Sequence, residues 1–401
     1  VSSCGTILAL NAGSSSVKFA LFDASSMRES PAALARGELE GIGHTPHLTV
    51  SDGSGTVIAD RAPAGVRTHE DAVAEVLGAL ERSVPGRPLV AAGHRVVHGG
   101  ERFVEPVLVN AEIRAALQEL TPLAPLHQGH SLAAIDAVAR LHPELAQVAC
   151  FDTAFHAGQA WEATTFALPR EFSDHGVRRY GFHGLSYEYI ASCLEEHLGE
   201  VARGRVVVAH LGSGASMCAM LDRRSVATTM GFSALDGLPM GTRCGTLDPG
   251  VILYLLERGH SRESIADLLW NRSGLLGLSG MSDDVRELQA SDDARAAQAL
   301  SFLAYRVARE LGSLAAAVEG LDALVFTAGI GEHSPALRAR ICERARWLGV
   351  SLDTLANDAS ALRISDASSR VAVLVIATDE ESMLARHVLS VCSRTLPTFH
   401  G

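Results

Sequence analysis

Three glycine-bearing segments and a set of arginines, histidines and carboxylates could carry chemistry in this sequence. The first segment, Asn11-Ala-Gly-Ser-Ser-Ser16, offers backbone N–H groups and three hydroxyls, and Lys18 follows closely. Lys18 is the only lysine among 34 basic residues; the others are all arginine. A compact ammonium beside a Ser/Gly turn suits phosphate oxygens. The turn is not a Walker A loop, because GxxxxGK[ST] opens a helix, whereas residues 17–22 read as a strand. A plain hairpin fits the same residues. His210-Leu-Gly-Ser-Gly214 and Gly329-Ile-Gly-Glu332 each follow an apolar run, as loops where backbone can approach a nucleotide without a Cβ in the way. Ser334, just beyond, reads as a helix cap or the start of an anion-favouring N-terminus.

Arg95 lies in Gly93-His-Arg-Val-Val-His-Gly-Gly100 and Arg243 in Gly237-Leu-Pro-Met-Gly-Thr-Arg-Cys-Gly245. Two guanidinium forks suit a carboxylate or a transferring phosphoryl group, although each arginine alone also reads as structural. Asp152 follows an apolar run, His183 sits between glycines, and His127 is a third loop candidate. None has metal-ligand spacing, and neither GxSxG nor HExxH occurs. Thr378-Asp-Glu-Glu381 supplies carboxylates that suit Mg2+ held through water, or a helix cap.

The elements that must position these groups alternate between strand and helix. Residues 6–10 and 17–22 read as strands around the first turn, and residues 205–222 repeat that plan. A shift of 199 residues lays Gly212 and Ser213 on Gly13 and Ser14, and Asp222 on Asp23, as an internal duplication would; two unrelated hairpins are the alternative. Helical patterns fall at 71–82, 131–140, 262–269, 293–321 and 334–347, and late strands at 323–327 and 371–378. The mixture predicts α/β layers.

At 401 residues the chain exceeds one hydrophobic core, which predicts two domains with a cleft. Length and duplication put the join near Cys150. A net charge of −12 argues against nucleic acid or anionic lipid as partners. Seven scattered cysteines with no CxxC pair fit a reducing cytosol, and no charged leader precedes the strand at Thr6, so a cytoplasmic protein is expected. The apolar stretch 299–321 carries Arg306, Arg309, Glu310 and Glu319, and reads as a core helix rather than a membrane span.

Taken together these segments resemble the acetate kinase family of the sugar kinase, heat-shock chaperone and actin superfamily. The carriers are LNAGSSSVKF at 10–19, GHRVVHGG at 93–100, FDTAFH at 151–156, RYGFHG at 179–184, HLGSGAS at 210–216, MGTRCGTLDPG at 240–250, AGIGEH at 328–333 and TDEE at 378–381. The resemblance implies two duplicated ribonuclease-H-like domains of the actin-like ATPase type with an interdomain cleft. The first would span 1–150 with about 382–401, the second, nucleotide-binding domain 151–381. It implies a homodimer transferring phosphate reversibly between ATP and acetate, giving acetyl phosphate and ADP, with Mg2+ or alternatively Mn2+.

By that analogy Asn11 and Glu380 support the metal, and Ser14, Ser16 and Lys18 line the phosphate path. Arg95 and Arg243 bracket the acyl phosphate, His183 stabilises the transferring phosphoryl, His127 joins the same pocket, and Asp152 is the active-site acid. The nucleotide would meet His210, Leu211, Gly212, Ser213 and Gly214, then Asp284, Val285 and Arg286, then Gly329, Ile330, Gly331, Glu332 and His333. Val97, Leu126, Phe182 and Ala234 resemble the pocket for the acetate methyl. A carboxylate acceptor is already ionised at neutral pH and needs no general base, so Asp152 is expected to position Mg2+ or an arginine.

Departures from the usual family pattern are Ser213, His333, Gln128 and Asp379, each where Asn is common, read as polar exchanges near the nucleotide. Many members also have Pro at the place of Ala234, and the smaller residue leaves room for propionate. A propionate or other short-chain acyl kinase is therefore the nearest rival. The rival of another class is a non-enzymatic ATP-driven clamp of the actin or chaperone kind, which would need neither arginine nor His183.

Overall fold

The computed structural model describes residues 5–25, 32–125 and 127–395. The chain divides into two units, Val1–Ala154 with Asp379–Gly401, and Phe155–Thr378. The expected boundaries near 150 and 382 thus shift to the short 3-10 turn Ala154–His156 after one strand and to the residues just before the last helix, Glu380–Thr395.

The first unit is built on an eight-stranded sheet: β1 (Thr6–Ala12), β2 (Val17–Asp23), β3 (Ala33–Glu40), β4 (His47–Asp52), β5 (Val57–Arg61), β6 (Leu89–Val96), β7 (Val107–Leu108) and β8 (Ala146–Phe151), in the order β5-β4-β3-β2-β1-β6-β8-β7. The strands β1 to β5 form an antiparallel meander, whereas β6 lies parallel to β1 and β8 parallel to β6. Because β1 is central and covered on both faces, its side chains are almost continuously buried instead of alternating. Helix His69–Ser83 begins at a capping box formed by Thr68 and Asp71 and buries Ala72, Val73, Val76, Leu77 and Leu80 at helical spacing. It packs with helix Gln128–Leu141, and both join β1 and β2 in one core. The last helix, Glu380–Thr395, lies against β1, β6 and β8. Gly93 makes that approach close, since a Cβ there would stand 2.7 Å from Val388.

The second unit repeats the central plan with β9 (Arg205–Leu211), β10 (Ala215–Leu221), β11 (Arg224–Thr228), β12 (Ala323–Thr327) and β13 (Ala372–Val375), in the order β11-β10-β9-β12-β13. Pairing senses match those of β3-β2-β1-β6-β8: antiparallel twice, then parallel twice. Duplication therefore explains both hairpins. The expected alignment of Asp222 with Asp23 is corrected, however. The turn in the first unit runs over residues 13–16 and in the second over 212–214, so the second is one residue shorter. Asp23 faces Thr6 across its ladder while Leu221 faces Arg205, so Leu221 is the counterpart of Asp23.

Helix Gly184–Leu198 covers the sheet through Tyr187, Ile190 and Leu194, which meet Val206, Val208 and Val325 in one core. Helix Ala294–Ala317 lies against β9, β10 and β11. It stops short of the expected 321, where Glu319 (φ 59°) and Gly320 (φ 145°) leave helical geometry. The expected helix 334–347 is divided into Pro335–Arg344 and a 3-10 turn at Arg346–Leu348. Gly329–Glu332 is not a loop: Ala328–His333 is a helical segment that leaves β12 directly, with Ala328 at φ 65°. Pro335 ends it, lacking an N–H and disfavouring helical backbone at Ser334.

Candidate active site

In the first unit, Arg95 projects from β6 and Asp152 follows β8 by one residue, so the strand pairing brings them together. Arg95 is thus a strand residue. Its Nε donates to both Asp152 oxygens at 3.1 and 3.0 Å, its Nη2 donates to Oδ2 at 2.5 Å, and its Nη1 donates to Asn11 Oδ1 at 3.1 Å. Asn11 in turn donates from Nδ2 to Glu380 at 3.4 Å. Asp152 is fully buried. Burial works against the Arg95 charge, but the Asp152 and Glu380 carboxylates outweigh it and hold the guanidinium firmly protonated. The Glu380 carboxyl is pushed up to about 7 by burial first; Asp152 and Glu381 add to this, while Arg95 and Lys18 oppose it.

Around this chain of contacts, Gly13 N–H closes the first turn onto the Ser16 carbonyl at 2.8 Å, and His69 Nε2 meets the Gly13 carbonyl at 2.7 Å. Ser14 is exposed and Ser16 half-buried. Lys18, on β2, is 3.9 Å from Glu38 and borders a 370 Å³ cavity with Arg36, Glu40 and Glu381. His127 is half-buried at the start of helix Gln128–Leu141 and caps it with no side-chain bond. Val97 is buried, and Leu126 lies outside the described residues.

Two departures from the family pattern have structural partners in the first unit. Gln128 is buried in the first unit, where its amide bonds the main chain of His98 and Leu117; Asp379 pairs with Arg36. Each exchange therefore bears on packing within the first unit.

In the second unit, the turn 212–214, the start of helix Val285–Ala290 and the segment 329–334 border a cavity of 540 Å³. Of the residues expected at the nucleotide, Gly212, Ser213, Asp284, Val285, Arg286, Gly329, Ile330 and His333 line it. His210, Leu211, Gly214, Gly331 and Glu332 do not; His210 and Leu211 precede the turn, Gly214 ends it, and Gly331 is buried in its helix. Asp283 and Gln289 also line it and were not expected; Ser334, read as a helix cap or the start of an anion-favouring N-terminus, lines it too. Gln289 is one helical turn beyond Arg286, which is the signal that would have found it. Ser334 makes no side-chain cap, contrary to expectation; its hydroxyl accepts from Gln289 Nε2 at 2.8 Å. Asp284 caps its helix by accepting from the Arg286 N–H, and Arg286, through side chain and then backbone, lowers its carboxyl to about 2.

His183 precedes helix Gly184–Leu198 in left-handed backbone, φ 59° and ψ 27°, a conformation uncommon outside glycine and typical of constrained sites. Its Nδ1 meets Ser216 Oγ at 2.8 Å, and its ring stacks on His210 at 4.1 Å between centroids. His156 holds the preceding turn. It is buried, meets the Phe182 carbonyl at 3.1 Å and Ser225 at 2.7 Å, and burial depresses it to about 4. Arg243 lies in an irregular loop, with Nη1 3.1 Å from the Ala234 carbonyl and its guanidinium over Trp270 at 5.3 Å. A Cβ on Gly214 would stand 3.1 Å from His183 Nε2 and 3.9 Å from Arg243 Nη1, so these two candidates share one glycine. Phe182 is buried and Ala234 half-buried.

The model of the acetokinase family matches residues 6–386. An acetate kinase of Rhodopseudomonas palustris is 56% identical over 386 residues, covering 95% of this chain and 97% of its own. Among solved structures, the acetate kinase of Porphyromonas gingivalis superposes with a TM-score of 0.85 at 35% identity, covering 96% of this chain and 99% of that one. A propionate kinase of Francisella tularensis reaches 0.89 at 36%, covering 96% and 100%. The duplicated sheets and the glycine-bordered cavity are those of a kinase with the actin-like ATPase fold. The chain belongs to the acetokinase family, kinases that take ATP and transfer its phosphate to a carboxylate. None of its described helices is long and apolar enough to cross a membrane.

Proposed function

We propose that this chain catalyses reversible phosphoryl transfer from ATP to acetate, giving acetyl phosphate and ADP, with Mg2+ as the metal. The observation that carries the reading is Arg95. Three of its five N–H groups are engaged by Asp152 and Asn11, which leaves two for a carboxylate or phosphoryl oxygen. An arginine locked in this way meets its ligand without first being ordered.

Charge is the obstacle in this reaction, since an anionic acceptor must approach an anionic phosphoryl group. Arg95 and Arg243 bracket the acyl phosphate, and His183 and Lys18 add donors toward the phosphoryl oxygens. Asp152 bonds Arg95 through both oxygens and acts by positioning it, not by taking a proton. His127 contributes from its helix start, and Val97, Leu126, Phe182 and Ala234 surround the acyl methyl. The adenine and ribose occupy the 540 Å³ cavity.

Among the described residues no group of three or more His, Cys, Asp or Glu could hold a metal by itself. That suits Mg2+, which keeps several waters and takes one or two carboxylates plus substrate phosphates. Glu380, a buried carboxyl beside Asp152 and Glu381, would hold it, with Asn11 orienting Glu380. Bound there, the metal neutralises charge on the phosphate oxygens.

The smaller Ala234 supports propionate as a second acceptor, one methylene being worth about 1–3 kcal/mol. A homodimer is supported by helix Pro249–Glu257, none of whose residues is buried although Val251, Ile252, Leu253, Tyr254 and Leu256 are apolar or aromatic. A cytoplasmic location goes with this reading. The test is acyl hydroxamate formed from Mg-ATP, hydroxylamine and acetate, propionate or butyrate. Acetate foremost is expected; propionate foremost would make this an acyl kinase of the longer acid. ATP turnover with no hydroxamate from any acid would overturn the reading in favour of a clamp.

A further inference from the structure

The side chains behind His183 are as informative as the face it turns to Gly214. Ser216 and Tyr187 are both fully buried. Tyr187 comes from the first turn of helix Gly184–Leu198 and Ser216 from β10. The tyrosine hydroxyl lies 2.5 Å from Ser216 Oγ, which lies 2.8 Å from His183 Nδ1. Among the described residues neither hydroxyl has another hydrogen-bond partner.

Two hydroxyl hydrogens and one imidazole hydrogen must therefore be placed along this line. If Nδ1 carried the hydrogen, Ser216 would accept from it, and either the serine or the tyrosine hydrogen would be buried with no acceptor. One arrangement satisfies every group: Tyr187 donates to Ser216, Ser216 donates to Nδ1, and the imidazole hydrogen is on Nε2. Burial raises the Tyr187 hydroxyl well above its ordinary range, so it remains a donor. A second proton, on Nδ1, would leave the same hydroxyl hydrogen without an acceptor; on the other sides His210 stacks on the ring from β9, and Arg243 reaches the same Gly214.

We propose that Tyr187 and Ser216 form a hydroxyl relay that fixes His183 as the neutral imidazole with its hydrogen on Nε2, aimed at a phosphoryl oxygen. His183 is the contacting group; Ser216 and Tyr187 are positioning residues. The Nε2 edge faces Gly214, at the end of the turn that borders the nucleotide cavity. A neutral donor has a physical advantage here. It stabilises charge developing on the transferring group without holding the ground-state anion as tightly as a third cation would. The inference rests on the assignment of His183 to the phosphoryl group.

The test is the ring ¹⁵N spectrum of the labelled full chain at the pH of activity, with His183 identified by its loss in His183→Gln. The Nε2–H tautomer is expected. Ser216→Ala should shift His183 toward a mixture and lower kcat by about 10- to 100-fold, as the loss of an orienting partner does elsewhere. The KM for ATP should stay within about twofold, because the ground-state contacts remain. Tyr187→Phe keeps the ring in the core and leaves Ser216 free to turn, so its effect should be smaller and in the same direction; it also serves if Ser216→Ala does not fold. A wild-type Nδ1–H tautomer or imidazolium would overturn the relay, as would unchanged kcat in both variants. Full activity in His183→Gln would remove the phosphoryl contact itself, and is distinguishable because the tautomer is read without turnover.

Discussion

The two sheets follow one path, yet residues at matching positions do opposite things. Asn11 pairs with Lys18 across the first hairpin, and His210 with Ser216 across the second. Along the parallel strands, Leu10 faces His94 and Ala209 faces Phe326, which makes Thr327 the counterpart of Arg95 and Thr378 that of Asp152. The first unit thus fills its four matching positions with amide, ammonium, guanidinium and carboxylate. The second fills them with imidazole and three hydroxyls. The duplicated frame holds three charged groups and an amide at these positions in one copy, and an imidazole and three hydroxyls in the other, because the hydrogen-bonded backbone places four side chains together whatever their type.

The largest way to break the comparison is at Asp152. Asp152→Ala leaves Arg95 charged and mostly buried without its partner, and should cost about 3–5 kcal/mol in chemical unfolding. Activity should fall in step with lost Arg95 geometry. A cost below about 1 kcal/mol would mean that the pair is no more than a surface contact.

A second effect separates the units by pH. Burial depresses His94 and His98 in the first unit, and His156 in the second, each to about 4 from 6.5. A folded value below the unfolded one means stability present above about 6.5 and lost as pH falls toward about 4. In the first unit Glu380, raised to about 7, works in the opposite sense over that window and offsets one of the two rings, so in Glu380→Gln hydrogen-exchange protection in β6 should decline more steeply than near His156. Equal slopes in that variant would remove this contrast between the copies.

Smaller again, Lys18→Ala should change stability by less than about 1 kcal/mol, since the ammonium is half-exposed and 3.9 Å from Glu38, while phosphoryl transfer declines. Amine-selective labelling at Lys18 that ignores ATP and spares activity would refute its role. The smallest effect should come from Thr327→Val. The Thr327 hydroxyl is buried with no hydrogen-bond partner among the described residues, so the isosteric change should be neutral or stabilising by up to about 1 kcal/mol in the same unfolding assay. A clear loss would show that the matching position in the second unit is used after all.

Much of the site was legible in the sequence where a residue type has few alternative uses. Gly212 and Ser213 border the cavity as expected, and the isolated Lys18 does lie on the strand after a tight turn. Less legible were the glycines of residues 329–332, which lie in a helix. Local composition reads a glycine pair as a loop, but tertiary packing overrode that propensity. The partners of Gln128 and Asp379 were not legible for a related reason: a polar letter in a motif does not say which way its side chain turns. Ser216 stood inside a quoted motif and still went unnoticed, because its role depends on Tyr187, a residue that reads as ordinary helix core.

By itself the sequence determined the two hairpins, the amphipathic helices and the family, since each depends on neighbours within a few residues or on ordered motifs. Only the tertiary structure decided the pairings. Arg95 and Asp152 are 57 residues apart, and Asn11 and Glu380 are 369 apart. Contacts of that span are fixed by strand register and by where the last helix packs, which no local pattern of side chains encodes.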